Sequence, residues 1–76
     1  MTIEQENRTV YAEVYNLGVG EEVHVLADDC SPGVLRNRLI AAIDRWQRRQ
    51  GTHGTAEQRR YFTSVQPLSV LVRRLK

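Results

Sequence analysis

The residues that could carry chemistry are two histidines, one cysteine and a pair of aspartates. His24, His53, Cys30, Asp28 and Asp29 are all residue types that can ligate a metal. Their spacing matches no zinc pattern, and a structural zinc site needs four ligands. No nucleophile–base pair or carboxylate constellation is evident either. We therefore predict that the protein is not an enzyme and uses no metal or cofactor, and that Cys30 is a small residue closing a turn.

Arginine is the strongest functional signal in the chain. Ten of the eleven basic residues are arginine, and residues 31–76 hold ten basic residues against two acidic ones. Residues 1–30 hold seven acidic residues against one arginine. Arginine forms paired hydrogen bonds with phosphate and carboxylate and is enriched at interfaces. The alternative is that the two halves neutralise each other across a solvated surface. The candidate basic patch, for protein or nucleic acid, is Arg38, Arg45, Arg49, Arg59, Arg60, Arg73 and Arg74.

A helix between residues 28 and 51 is the element with the clearest start and stop. Ser31 can cap its first turn, Pro32 suits the first helical position, and Gly51 suits the residue after its last turn. The helix is amphipathic and needs a sheet to cover it, with Trp46 expected as the anchor of the core. The residues that fall within one apolar arc are Leu35, Leu39, Ala42, Ile43 and Trp46.

Strands are predicted on both sides of this helix. Alternating residues 9–15 and 22–27 are joined by a glycine-containing loop and predict a β-hairpin. Residues 60–66 predict a further strand. Residues 68–76 fit a strand or a helical face, and their β-branched residues favour the strand. The predicted fold class is α+β. It is a small two-layer sandwich in which a β-hairpin is followed by one amphipathic helix and one or two further strands of an antiparallel sheet.

One face of the predicted hairpin carries more aromatic and apolar residues than a solvated face needs. In this register Tyr11, Tyr15, His24 and Leu26 point away from the helix. Tyrosine pairs also stabilise exposed strands, which is the alternative explanation. We predict that these four residues form a dimer or partner face, and that the protein is a homodimer.

The chain length and the single cysteine set the broad class. Residues 1–8 are expected to form a flexible tail and residues 9–76 a single domain. One cysteine cannot form an intrachain disulfide, which points to a reducing cytoplasm. No apolar run approaches the roughly 20 residues of a membrane span, so no membrane partner is expected.

The function predicted from these features is a small regulatory protein that binds a protein partner. In element order alone, hairpin–helix–strand resembles several small phage or plasmid proteins that bind and inhibit a host enzyme, and the antitoxin domains of some toxin–antitoxin pairs. That resemblance implies a phage- or plasmid-type accessory or inhibitor protein. The alternative is a small nucleic-acid-binding protein that uses the arginine-rich half.

Overall fold

A three-stranded antiparallel sheet lies against helices in the computed structural model, which describes residues 11–76. Residues 11–15 are helical and are followed by β1 (Glu22–Leu26), α1 (Pro32–Gln50), β2 (Tyr61–Val65) and β3 (Ser69–Arg74). The α+β class and the antiparallel sheet are confirmed. The flexible tail expected at residues 1–8 lies outside the described residues.

Helix α1 begins and ends where its sequence predicts. The Ser31 hydroxyl accepts a hydrogen bond from the Val34 N–H at 3.3 Å, and Pro32 occupies the first turn, where its missing N–H costs nothing. At the other end, Gly51 adopts a left-handed conformation with φ of 76°. Its N–H donates to the Arg48 carbonyl, which satisfies one of the groups left unpaired at a helix terminus.

The β2–β3 hairpin forms the centre and one edge of the sheet. Its short loop, Pro67 and Leu68, is closed by a hydrogen bond from the Gln66 N–H to the Ser69 carbonyl at 2.8 Å. β3 pairs on its other side with β1, so the strand order is β1-β3-β2 and both pairings are antiparallel. The strand predicted at 60–66 is confirmed. For the last stretch, the strand alternative is correct over Ser69–Arg74.

The strand predicted at residues 9–15 is wrong for 11–15, which are helical. Tyr11, Val14 and Tyr15 are three and four residues apart, so a short alternating run also places them on one side of a helix. The second predicted strand is confirmed as β1, which pairs with β3 instead of with a preceding strand. The resemblance in element order depended on a leading hairpin, and the described chain begins with a helix.

The core lies between the sheet and the helical layer. Its buried apolar side chains are Val14, Leu17, Val25, Leu35, Leu39, Ala42, Ile43, Val70 and Val72. Four residues of the predicted helical arc are among them, whereas Trp46 is only half-buried. Within residues 11–76, no helix combines the length and the apolar composition needed to cross a membrane.

Candidate functional site

The two faces of the sheet differ because side chains alternate along each strand. Val23 and Val25 of β1 share the helical side with Val70 and Val72 of β3, which are fully buried. The opposite face, here called the open face, is far more exposed. It is formed by Glu22, His24, Leu26, Phe62, Leu71 and Arg73. Leu26 is 65% exposed and Phe62 is 48% exposed.

The four residues predicted to share a partner face lie in two different places. His24 and Leu26 project from the open face, as the strand register required. Tyr11 and Tyr15 belong instead to the helical segment and pack against the core. Their grouping with His24 and Leu26 was wrong because it assumed that residues 11–15 form a strand.

Tyr15 joins residues 11–17, here called the N-terminal segment, to α1 through an aromatic stack. Its ring lies parallel to that of Trp46, with centroids 4.7 Å apart and 4° between the planes. The Arg59 guanidinium carbon lies 4.7 Å from the centre of the Trp46 ring, and its Nη1 donates to the Tyr15 carbonyl at 2.6 Å. Burial raises the pKa of the Tyr15 hydroxyl, against the opposing effect of Arg49. Trp46 therefore lies at the edge of the core, where it joins two helical elements. The sequence analysis had placed it at the centre of the core.

Three members of the predicted basic patch are engaged within the fold. Arg73 forms an ion pair with Glu22 across the open face at 2.7 Å. Arg74 donates to the Leu17 carbonyl at 3.0 Å and so ties the N-terminal segment to β3. Arg59 belongs to the aromatic stack. The seven predicted arginines therefore do not form one continuous surface.

The remaining four members of that patch are exposed. They are Arg38, Arg45 and Arg49 on α1 and Arg60 just before β2. Counting only partners among residues 11–76, none of these four side chains forms an ion pair or a hydrogen bond. The stripe along one border of α1 is thus a basic surface open to solvent.

The hydrogen-bond pattern of the β2–β3 ladder determines which backbone groups of β2 point outward. Opposite residues of an antiparallel pair alternate between exchanging two backbone hydrogen bonds and exchanging none. The bond from Gln66 to Ser69 marks one end of this alternation. The Leu75 N–H donates to the Arg60 carbonyl at 2.7 Å and marks the other end. Even-numbered residues between 60 and 66 therefore form backbone hydrogen bonds with β3. The backbone N–H and C=O groups of the odd-numbered residues point away from β3.

The free edge of β2 consequently presents the N–H and C=O groups of Tyr61, Thr63 and Val65. No hydrogen bond from elsewhere in residues 11–76 reaches these groups. Proteins usually protect exposed edge strands with charged residues, proline or bulges. β2 has the sequence YFTSV, which contains no charge and no proline. This edge can therefore accept another strand.

A groove of about 310 Å³ runs between α1 and this edge. The helix lines it with Arg36, Ile40, Ile43, Asp44 and Gln47. Its other wall includes the side chains of Tyr61 and Thr63, whose backbone groups point outward. The edge and the groove thus form one site, called the β2-edge site below.

The charged groups of the β2-edge site are held in defined positions. The Arg36 Nε donates to the Thr63 hydroxyl at 2.9 Å across the groove. The Asp44 carboxylate is occupied by Arg48 at 2.9 Å and by His53 at 3.0 Å. The hydrogen bond from Arg48 holds the pKa of Asp44 below its usual value. The site is therefore positively charged.

Gln47 is a structural residue of the site that the sequence analysis missed. It is 3% exposed and forms two hydrogen bonds with the backbone of Arg59. Its Oε1 accepts from the Arg59 N–H at 2.7 Å, and its Nε2 donates to the Arg59 carbonyl at 3.1 Å. The available signal was its position at the border of the apolar arc, one turn after Ile43. Arg36 was missed for a related reason, because it borders the arc on the side opposite Arg38.

The residue types that could have bound a metal are dispersed. No three histidine, cysteine, aspartate or glutamate side chains within residues 11–76 converge in a geometry that could hold an ion. Cys30 is half-buried and packs against the core between β1 and α1. Its position fits the expected role of a small residue that closes the turn between strand and helix.

No protein-family model, curated protein sequence or solved structure matches this chain.

Proposed function

We propose that this chain is a small non-enzymatic interaction protein that binds an extended segment of a partner protein at the β2-edge site. One observation carries the proposal. The backbone groups of Tyr61, Thr63 and Val65 point away from the sheet beside a groove that the same strand lines. Strand addition of this kind derives its affinity from main-chain hydrogen bonds and its specificity from alternate side chains that enter pockets.

The groove provides the space that such side chains need. A strand added to β2 continues the pleat of the sheet, so every second side chain points toward α1. Ile40 of α1 is 43% exposed there and offers an apolar contact. On β1, the residues whose backbone groups point away from the sheet include Glu22 and His24. Their side chains lie on the open face, on the other side of the sheet from the helical layer. These features favour β2 over β1 as the binding edge.

The test replaces Val65 with proline, which removes one outward N–H without removing a β3 ladder bond. Peptides are first selected from a displayed random library against the wild-type chain. They are expected to bind Val65→Pro about tenfold more weakly or worse, because the variant loses one hydrogen bond to the peptide and its ring clashes with the added strand. Val65→Thr retains the N–H and the β-branched shape, and it is the matched control. Affinities come from fluorescence anisotropy, and amide exchange maps the footprint.

Two results would contradict strand addition. The first is a set of selected peptides that bind wild type and Val65→Pro equally. The second is binding that leaves amide exchange at Tyr61, Thr63 and Val65 unchanged.

Nucleic acid binding is the second candidate function, supported by the exposed stripe of Arg38, Arg45 and Arg49. The internal engagement of Arg59, Arg73 and Arg74 leaves a smaller surface than the sequence suggested. If these side chains neutralise several phosphates, affinity for a non-specific duplex falls steeply between roughly 50 and 200 mM salt.

We further propose that the open face associates with a second copy of this chain. It combines exposed apolar side chains, Leu26 and Phe62, with the Glu22–Arg73 ion pair. A face that carries one charge of each sign is complementary to itself under a twofold rotation, and twofold dimers are the commonest assembly. Because the charges of Glu22 and Arg73 cancel, this face has no net positive charge to attract a nucleic acid.

The dimer has a direct test in sedimentation. Wild-type chain at high micromolar concentration is expected to sediment as a dimer. Phe62→Glu places a charge on the open face of each copy and is expected to give a folded monomer. Val19→Glu, in an exposed loop position, is the charge-matched control and should remain dimeric. A monomeric wild type would contradict the proposal.

A further inference from the structure

We propose that the β2-edge site selects a segment carrying a carboxylate, which pairs with Arg36. This inference rests on strand addition at β2, and it specifies the chemistry of the segment. The carboxylate belongs to a glutamate or aspartate whose side chain points toward α1, opposite Thr63.

Arg36 has the geometry that carboxylate recognition requires. It is half-buried, and its Nε is used in the bond to the Thr63 hydroxyl. That bond holds the guanidinium beside the outward edge of β2. Its two terminal nitrogens form no hydrogen bond with any residue among 11–76. A guanidinium held in place with both terminal nitrogens available can bind a carboxylate through two parallel hydrogen bonds.

The other charged groups of the groove do not compete for this role. Asp44, the acidic residue lining the groove, is already paired with Arg48 and His53. Arg59 uses its Nη1 on the Tyr15 carbonyl and the Tyr61 hydroxyl, and its guanidinium stacks on Trp46. The unpaired charge that faces an incoming strand is therefore that of Arg36.

The orientation of α1 adds a second element to the expected segment. Arg36 contacts Thr63 and Gln47 contacts Arg59, so α1 runs antiparallel to β2. Ile40 therefore lies on the Tyr61 side of Arg36. In an added strand, every second side chain faces the groove. We therefore infer that the bound segment carries an acidic residue and, two residues before or after it, an apolar residue that contacts Ile40.

The experiment uses three synthetic decapeptides of alternating threonine and valine, with Gly-Ser ends, that differ only in one central residue. That residue is glutamate, glutamine or lysine. Each peptide is titrated into the isotopically labelled full chain, and amide shifts are followed by NMR. The glutamate peptide is expected to shift the amides of Tyr61, Thr63 and Val65. We expect it to bind about tenfold more tightly than the glutamine peptide, the size of a charge-assisted hydrogen bond.

Variants assign this preference to one side chain. Arg36→Gln is expected to abolish the difference between the glutamate and glutamine peptides, and Arg36→Lys to retain part of it through charge alone. Arg38→Gln removes the same charge from the opposite border of α1 and should leave the difference unchanged. Thermal melts of each variant establish that it is folded before the titrations are compared.

The outcomes separate this inference from the function it rests on. If all three peptides shift the β2 amides with equal affinity, carboxylate selection is wrong and strand addition stands. A glutamate preference that persists in Arg36→Gln also overturns the assignment to Arg36. If no peptide shifts these amides at millimolar concentration, strand addition at β2 is overturned together with the selection.

Discussion

Replacing Leu39 with alanine is expected to lower the free energy of unfolding by about 2–5 kcal/mol, the range measured for leucine truncation in closed cores. Leu39 is completely buried, and it lies among side chains of α1, the sheet and the N-terminal segment. A domain of this size has a total stability of roughly 4–11 kcal/mol at 0.05–0.15 kcal/mol per residue. The loss is therefore a large fraction of the total stability, and the variant should unfold at a much lower urea concentration than wild type.

Urea denaturation followed by circular dichroism measures this effect. Ile40→Ala is the matched control, because it truncates the next residue of the same helix, whose side chain lines the groove and is 43% exposed. Its cost should stay below about 1 kcal/mol, as for substitutions away from the core. Equal losses in the two variants would show that Leu39 does not occupy a closed core.

The parts of the fold that could be predicted from the sequence are those determined by local chemistry. A serine oxygen, a proline and a glycine with positive φ define the ends of α1 through bonds to residues within one turn. The strand at residues 60–66 was also predicted, and a strand was favoured over a helix for residues 68–76, although their pairing as a hairpin was not predicted. β-branched residues lie on both sides of Pro67, and a proline there interrupts the ladder.

The N-terminal segment could not be predicted this way because five residues do not distinguish a period of two from a period of 3.6. The sequence YAEVY alternates, yet its two tyrosines are also four residues apart. Tertiary contacts decide the outcome. As a helix, the segment stacks Tyr15 on Trp46 and buries Val14 in the core, and these contacts override the strand preference of the local sequence.

The β2-edge site was inaccessible to sequence analysis because it depends on strand order. Nothing local to β2 shows that β3, the last strand in the chain, lies at the centre of the sheet and leaves β2 at an edge. The role of Arg36 follows from the same arrangement, since only the position of β2 gives it Thr63 as a partner. The stripe of Arg38, Arg45 and Arg49 was visible because helical periodicity alone places it.

Gln47→Leu is expected to destabilise the protein by about 2–3 kcal/mol, although it places an apolar residue in a buried position. The Gln47 amide pairs with both the N–H and the C=O of Arg59, and leucine leaves both groups without a side-chain partner. Each unpaired buried group costs about 1–3 kcal/mol, offset in part by the transfer of the leucine side chain from water.

The fluorescence of Trp46 reports on this variant in addition to its unfolding midpoint, because Arg59 stacks on the Trp46 ring. When Gln47 no longer holds the Arg59 backbone, the guanidinium is expected to shift over the Trp46 ring, although its Nη1 still bonds to Tyr15 and Tyr61. The fluorescence of the native state should therefore change as well as the unfolding midpoint. Gln50→Leu, at an exposed position in the last turn of the same helix, is the control and should alter neither quantity appreciably. A Gln47→Leu variant as stable as wild type, with unchanged tryptophan emission, would show that the Arg59 backbone does not depend on Gln47. The groove wall that Gln47 and Arg59 form would then be held by the aromatic stack alone.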